Sequence, residues 1–270
     1  MLWWSREQTV LAAATMAFFV VMAARLAISP VVPAIATEFQ VSTGEIGLAL
    51  SGMWLSYALM QFPSGLLGDR IGERRVILIA VGGTAVASLF LALSSAFAAF
   101  LVWTVVLGAA AGLHFSVAIT LLSRRFTNTG AAVGIHNAGA PIAGVIVPVA
   151  AALLWELFGW RYAVALGAIT AVPAIVLVAA GLPARAPARP DQLLRERVRP
   201  GVLFELLARP SIAGTLVMSV LSAFVWQATS SFLPTFLIEH RGYSAPTAGA
   251  VFAGYFACSG RWPANNGLAF

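Results

Sequence analysis

The sequence predicts an all-α protein whose helices cross a lipid bilayer repeatedly, and three observations carry that reading. Of its 270 residues, 60% are hydrophobic and only 10% charged, with a mean hydropathy of +0.90, whereas a soluble domain is charged at roughly a quarter of its positions. The apolar residues fall into stretches of spanning length, about 20 residues each. The basic residues collect between those stretches, at alternate ends. Spans of this number leave no room for a soluble catalytic domain.

Gln8 to Ile28 is the first stretch; no small-residue cleavage site marks it as a signal peptide, and further spans follow it. Gly44 to Leu66, Arg75 to Leu93, Ala96 to Leu122 and Gly130 to Leu157 come next, each bounded by Gly, Pro or polar punctuation. Trp160 to Gly181 is the sixth, and Ser211 to Ile238 and Ala245 to Cys258 complete eight. The one break in composition, Leu182 to Pro210, is rich in Pro and Arg, with a short amphipathic piece around Leu193 to Leu207. It divides the chain into a six-helix bundle over 1–182, a cytoplasmic linker over 183–210 and the incomplete start of a second bundle over 211–270.

Arg6, then Arg70, Arg74 and Arg75, then Arg124 and Arg125, then the arginines from Arg185 to Arg209 mark one side of the membrane. That side is cytoplasmic by the positive-inside rule, which places the N-terminus inside. The opposite loops carry Glu38, Glu45, Glu156 and Glu239, with Arg161 and Arg241 as basic exceptions. All sixteen basic residues are arginine and the pI is near 10.7, but their place between spans answers to topology rather than to nucleic acid. The single cysteine, Cys258, forms no internal disulfide, and no Cys/His spacing suits a metal. No cofactor motif is present. Paired carboxylates, a His-x-x-x-His face and a Ser/His/Asp set at one depth are equally missing, which argues against an enzyme.

The first and seventh spans end alike. Pro33 is followed five residues on by Glu38, and Pro234 by Glu239, about 200 residues later, as two duplicated bundles joined by a linker require.

The strongest local signal is Gly65-Leu-Leu-Gly-Asp69-Arg70-Ile-Gly72-Glu-Arg74-Arg75, read as the short cytoplasmic loop between spans two and three. Here the chain resembles the major facilitator superfamily, whose hallmark loop is G-x-x-x-D-R-x-G-R-R/K; Gly65, Asp69, Arg70, Gly72 and Arg74 match, and Glu73 stands in place of a basic residue. The resemblance implies an N-terminal six-helix bundle plus the first two helices of a second. It also implies a gate in which this loop, Arg75 included, latches two halves on the cytoplasmic side. In span four, Gly108-Ala-Ala-Ala-Gly112 matches the family's glycine-rich stretch, but Thr104 occupies the place of its arginine. In span five, Pro141 and Gly144 match a Gly/Pro motif in which Ala140 and Val145 replace glycines. The recurrence of Gly130, Gly134, Asn137, Pro141, Gly144 and Pro148 makes a small-residue face for packing or bending.

Ionisable groups inside a bilayer are expensive and point to function. Arg25 is the clearest, and its placement resembles first-span arginines of the family's organic-anion transporters. His114, His136 and Asn137 are polar residues in apolar surroundings. Trp54 and Gln61 share a face of span two with Gly47, Ser51, Ala58 and Gly65, and Trp226 and Gln227 fall near the level of Arg25 by the repeat. Arg25, Trp54, Gln61, His114, His136, Asn137 and Gln227 are thus the expected substrate-binding set, and Gly134, Pro141 and Gly144 the packing or hinge set. No Asp or Glu lies deep in any span, so a carboxylate that couples transport to a proton or other ion is expected to be absent, peripheral or outside this sequence.

The expected function is secondary transport of a small organic solute across the cell membrane by alternating access, with an organic anion favoured by Arg25. An exporter of hydrophobic or multiple drugs, and a non-transporting membrane scaffold, are the rival readings. Ser259 to Phe270, polar and containing Arg261, suits a span poorly and reads as a truncation or frameshift scar. The 270-residue chain alone is therefore expected not to complete a transport cycle.

Overall fold

Two helices begin on the same device. Ser5 accepts from the Gln8 N–H while the Gln8 side chain accepts from the Ser5 N–H, and Ser42 and Glu45 do likewise. Each pair satisfies N–H groups that a helix start leaves without partners. The computed structural model describes residues 5–184, 186–190 and 200–259. Among them the elements are α1 (Arg6–Leu26), a 3-10 turn (Ser29–Val31), α2 (Val32–Phe39), α3 (Thr43–Ile71), α4 (Glu73–Ala92), α5 (Phe97–Gly112), α6 (Phe115–Arg125), α7 (Thr129–Asn137), α8 (Gly139–Phe158), α9 (Trp160–Val164), α10 (Leu166–Gly181), α11 (Pro200–Leu207), α12 (Pro210–Glu239) and α13 (Ala245–Ser259). No strand occurs among the described residues.

Six helical segments are long and apolar enough to cross a membrane: Arg6–Phe39, Glu73–Ala92, Phe97–Arg125, Thr129–Phe158, Trp160–Gly181 and Pro210–Glu239. The 29-residue α3, whose apolar run is diluted by small and polar residues, and the shorter apolar Ala245–Cys258 fall where the other two spans were expected but are not among the six. Four spans are interrupted where the sequence suggested one helix, the sixth at Ala165 between α9 and α10. Pro30 and Pro33 lack the N–H that would carry α1 onward, so the chain passes through a 3-10 turn before α2. In span four the N–H groups of Leu113 and His114 reach back to Ala110 and Ala111, a local 3-10 tightening. In span five Pro141 sits in the first turn of α8, just past the break at Asn137 and Ala138.

The hallmark segment is helical rather than a loop. Helix α3 continues through Asp69 and Arg70 to Ile71, so neither residue caps a helix start. Gly72 alone makes the turn into α4, with φ +92°, a conformation that favours glycine.

Spans two and four pack along one another. A β-carbon at Gly108 would strike the Met53 carbonyl and one at Gly112 the Tyr57 carbonyl, so the GxxxG stretch brings two backbones together. Ser56 and Ser64 lock the same seam by donating to the carbonyls of Val105 and Leu113, at 2.8 and 2.6 Å. Helix α13 lies against α8, with the Phe256 ring in the notch at Gly144 and Gly249 against the Pro148 carbonyl. Cys258, the penultimate residue of α13, is exposed. Part of the amphipathic piece around Leu193 to Leu207, the arginines at 185, 195, 197 and 199, and the stretch 260–270 lie outside the described residues.

Candidate functional site

Arg25 ends α1 just before the proline break, and it is only 3% exposed. Its Nε donates to the Val21 carbonyl at 2.9 Å and one terminal nitrogen reaches the Met22 sulfur at 2.8 Å. The guanidinium carbon lies 4.1 Å from the centroid of the Tyr57 ring and 4.7 Å from that of Trp54. Trp54 and Tyr57 are one turn apart on α3 and meet edge to face at 5.8 Å. Aromatic faces attract a desolvated cation by about 2 kcal/mol, yet they leave its charge in place. Among the described residues Arg25 makes no ion pair with a carboxylate.

Helix α12 closes this cluster from the other side. Trp226 meets Trp54 edge to face at 6.0 Å and Phe256 of α13 at 6.2 Å. Ser29 donates to the Ser231 carbonyl at 2.9 Å, and Gly47 faces the Phe232 ring. The indole nitrogen of Trp54, the Gln227 side-chain oxygen and the Ser230 and Thr235 hydroxyls are buried without hydrogen-bond partners. Polar groups left so cost about 1–3 kcal/mol each, and they cluster along the seam between α12 and the first two spans.

His114 and His136 are both fully buried, each at the break in its own span. Their ring centroids are 5.4 Å apart, and the Phe18 ring of α1 stacks on both, at 5.8 and 4.9 Å. None of the four ring nitrogens has a hydrogen-bond partner; the Ala14 carbonyl approaches His136 outside hydrogen-bond geometry.

Of the other expected residues, Gln61 is half-buried with no polar contact recorded, and Asn137 is exposed, turned away from its neighbour His136 by the helical step. Gly134 has open space where a side chain would go, Pro141 starts α8, and Gly144 packs against Phe256. Thr104, at the place of the family arginine, is buried and donates to its own helix at Phe100.

The hallmark segment forms an ion-pair cluster with span four. Arg124 of α6 pairs with Asp69 at 3.0 Å and with Glu73 at 2.7 Å. Glu73, only 8% exposed, thus stands where a basic residue was expected because Arg124 comes from across the fold to meet it. Arg74 donates to the Ala179 carbonyl near the end of α10, and the Arg189 N–H to the Asp69 carbonyl. Arg70 and Arg75 are exposed. At the other end Glu38 accepts from Trp160 and pairs with Arg161 at 2.6 Å, while Arg161 also donates to the Ser94 carbonyl. Arg161, a basic exception in its loop, is therefore neutralised.

Tyr57, Phe18 and the pairing of Glu73 with Arg124 were not foreseen in the sequence. The first two read as core aromatics, and the pairing spans 51 residues. A crevice of about 620 Å³ lies elsewhere, between α1, the α7–α8 break and α10; it is apolar and holds no ionisable group.

A model of the Major Facilitator Superfamily matches residues 14–264. The chain is 33% identical over 131 residues to the human voltage-gated purine nucleotide uniporter, covering 46% of this chain and 30% of that protein. It is 29% identical over 160 residues to a probable sulfoacetate transporter of Cupriavidus necator, covering 57% of this chain and 36% of that one. It thus spans about a third of the length of these curated relatives. Its fold is similar to that of a bacterial homolog of the human lysosomal transporter Spinster, solved inward-facing and unoccupied, with a TM-score of 0.76 at 20% identity over 94% of this chain and 60% of that one. Multiple apolar spans, the GxxxG seam and the Asp-Arg segment agree with the family model: the chain is a multi-pass membrane protein of the Major Facilitator Superfamily, a family of transporters rather than enzymes.

Proposed function

We propose that the chain forms the anion-recognising part of a secondary transporter for small organic anions, with Arg25 as the charge that meets the substrate. One observation carries the reading: a guanidinium buried among Val21, Met22, Trp54 and Tyr57 with no carboxylate of the described residues paired with it. An uncompensated buried cation is costly, and an anion bound there offsets that cost. The sulfoacetate and purine-nucleotide transporters among its relatives support the same class.

Arg25 is occluded, so substrate access requires α12 to part from α1 and α3. The Ser29–Ser231 hydrogen bond and the Trp54–Trp226 contact are what must break. Differential contacts in the two open states then shift their populations. The N-terminus and the cluster of Asp69, Glu73 and Arg124 face the cytoplasm in this proposal, following the arginine distribution. The cluster ties spans two, three and four into one body, so the hallmark segment gates by moving with them.

Saturable binding of sulfoacetate to the chain in lipid nanodiscs, lost in Arg25→Ala, is the expected outcome. Equal binding by the two proteins refutes the anion site. An exporter of hydrophobic compounds is the second reading, favoured by the ring cluster of Trp54, Tyr57 and Trp226; it requires a neutral dye to bind irrespective of Arg25.

A further inference from the structure

We propose that His114 and His136 form a single proton site that fills together with the anion at Arg25, so that one proton accompanies each anion. The inference rests on the anion-site reading and adds its coupling ion.

The pair is built for one charge rather than two. Both imidazoles are fully buried, their centroids 5.4 Å apart, and none of the described residues hydrogen-bonds any of the four ring nitrogens. Two imidazoliums at that distance repel strongly in a dry interior, so the first proton opposes the second and the pair titrates as a unit. Phe18 stacks on both rings and offers its π face to whichever becomes an imidazolium. The second Phe, Phe115, lies 6.2 Å from His136 and seals the pair without adding charge.

Arg25 lies seven residues, two helical turns, beyond Phe18 on the same face of α1, about 10 Å along the axis, and Tyr57 on α3 is held against Arg25. On α13 the titratable groups are Tyr255, whose ring stacks beside Phe252, and the exposed Cys258. The carboxylates on the packed helices, Glu7, Glu45, Asp69, Glu73 and Glu156, stand near helix ends. Nothing on the packed elements therefore balances a proton on the pair while Arg25 is bare.

An anion at Arg25 changes that. Its negative charge cancels the guanidinium, removes the repulsion felt at His114, and makes the imidazolium affordable. The step balances simply: water delivers a proton to one ring nitrogen, no covalent bond other than N–H forms, and the incoming anion supplies the countercharge. Because linkage is reciprocal, the proton tightens anion binding by the same factor by which the anion tightens proton binding.

The test uses the full chain in lipid nanodiscs with sulfoacetate as the probe, titrated calorimetrically in buffers of differing ionisation enthalpy across pH. The wild type is expected to take up one proton per anion and to bind up to about tenfold more tightly for each unit the pH falls. His114→Gln and His136→Gln are each expected to lose the proton uptake and to stay at the weaker high-pH affinity at every pH, while His240→Gln, at the exposed end of α12, changes neither. Wild-type binding that is flat in pH with no proton uptake overturns the inference and leaves the anion site standing. Should sulfoacetate not bind at any pH, the anion reading falls, and imidazole ¹⁵N NMR of the unliganded chain decides the pair alone. A single coupled one-proton step, in which His136→Gln alters the titration of His114, supports it; two independent steps overturn it.

Discussion

Arg25 and Arg124 sit on the same scaffold under opposite rules. Arg124 is 44% exposed and meets two carboxylates, Asp69 and Glu73, at helix ends. Arg25 is 3% exposed and meets none, having only a carbonyl, a sulfur and two aromatic faces. A protein that can import a carboxylate partner over 51 residues for the cheaper arginine, yet leaves the dearer one without any, has not failed to find a partner. In the proposed reading the difference separates a cation that holds helices together from one kept available, and each can be tested by removing it.

The largest effect is expected at Arg25. Arg25→Ala should weaken organic-anion binding by roughly 30-fold to 1,000-fold, the scale of losing about 2–4 kcal/mol from a buried charge pair. Its unfolding midpoint in detergent should stay level or rise, since an uncompensated buried charge is removed; a clear fall would erase the contrast. Arg124→Ala should do the reverse. Leaving Glu73 buried without its partner costs about 1–3 kcal/mol of stability, read by thermal unfolding, while anion affinity stays unchanged. A double-mutant cycle between Arg124 and Glu73 sharpens this, with an expected coupling of about 1 kcal/mol. The smallest effect is that of salt. Raising it to about 1 M should weaken the half-exposed Asp69–Arg124 pair by less than about 0.5 kcal/mol and leave the hydrogen bond from Arg25 to Val21 untouched, as amide and side-chain NMR can follow.

The spans were legible because hydropathy sums over about 20 residues and survives local exceptions. The close approach at Gly108 and Gly112 was legible for a related reason, since a four-residue repeat of small residues puts them on one face. Arg25 announced itself as a charge inside an apolar run. The hallmark segment misled. Gly65, Gly68, Asp69 and Arg70 look like punctuation, yet backbone hydrogen bonds carry α3 to Ile71 and the turn needs Gly72 alone. Glu73 looked like a loss of positive charge because its answer, Arg124, is visible only once spans three and four are side by side. His114 and His136 were read one at a time, and only the folded bundle stacks them on Phe18. Asn137 seemed equivalent to His136, but one residue along a helix is a turn of about 100°, enough to carry it from the interior to the exposed side.

Cys258 is exposed and is the chain's single cysteine, two residues beyond Phe256, whose ring fills the notch at Gly144 of α8. A thiol-reactive fluorophore therefore labels the native sequence at one place, on the helix whose separation from α8 accompanies any opening of that seam. Its emission becomes a built-in gauge of how far α13 swings, read in a protein that needs no engineered background.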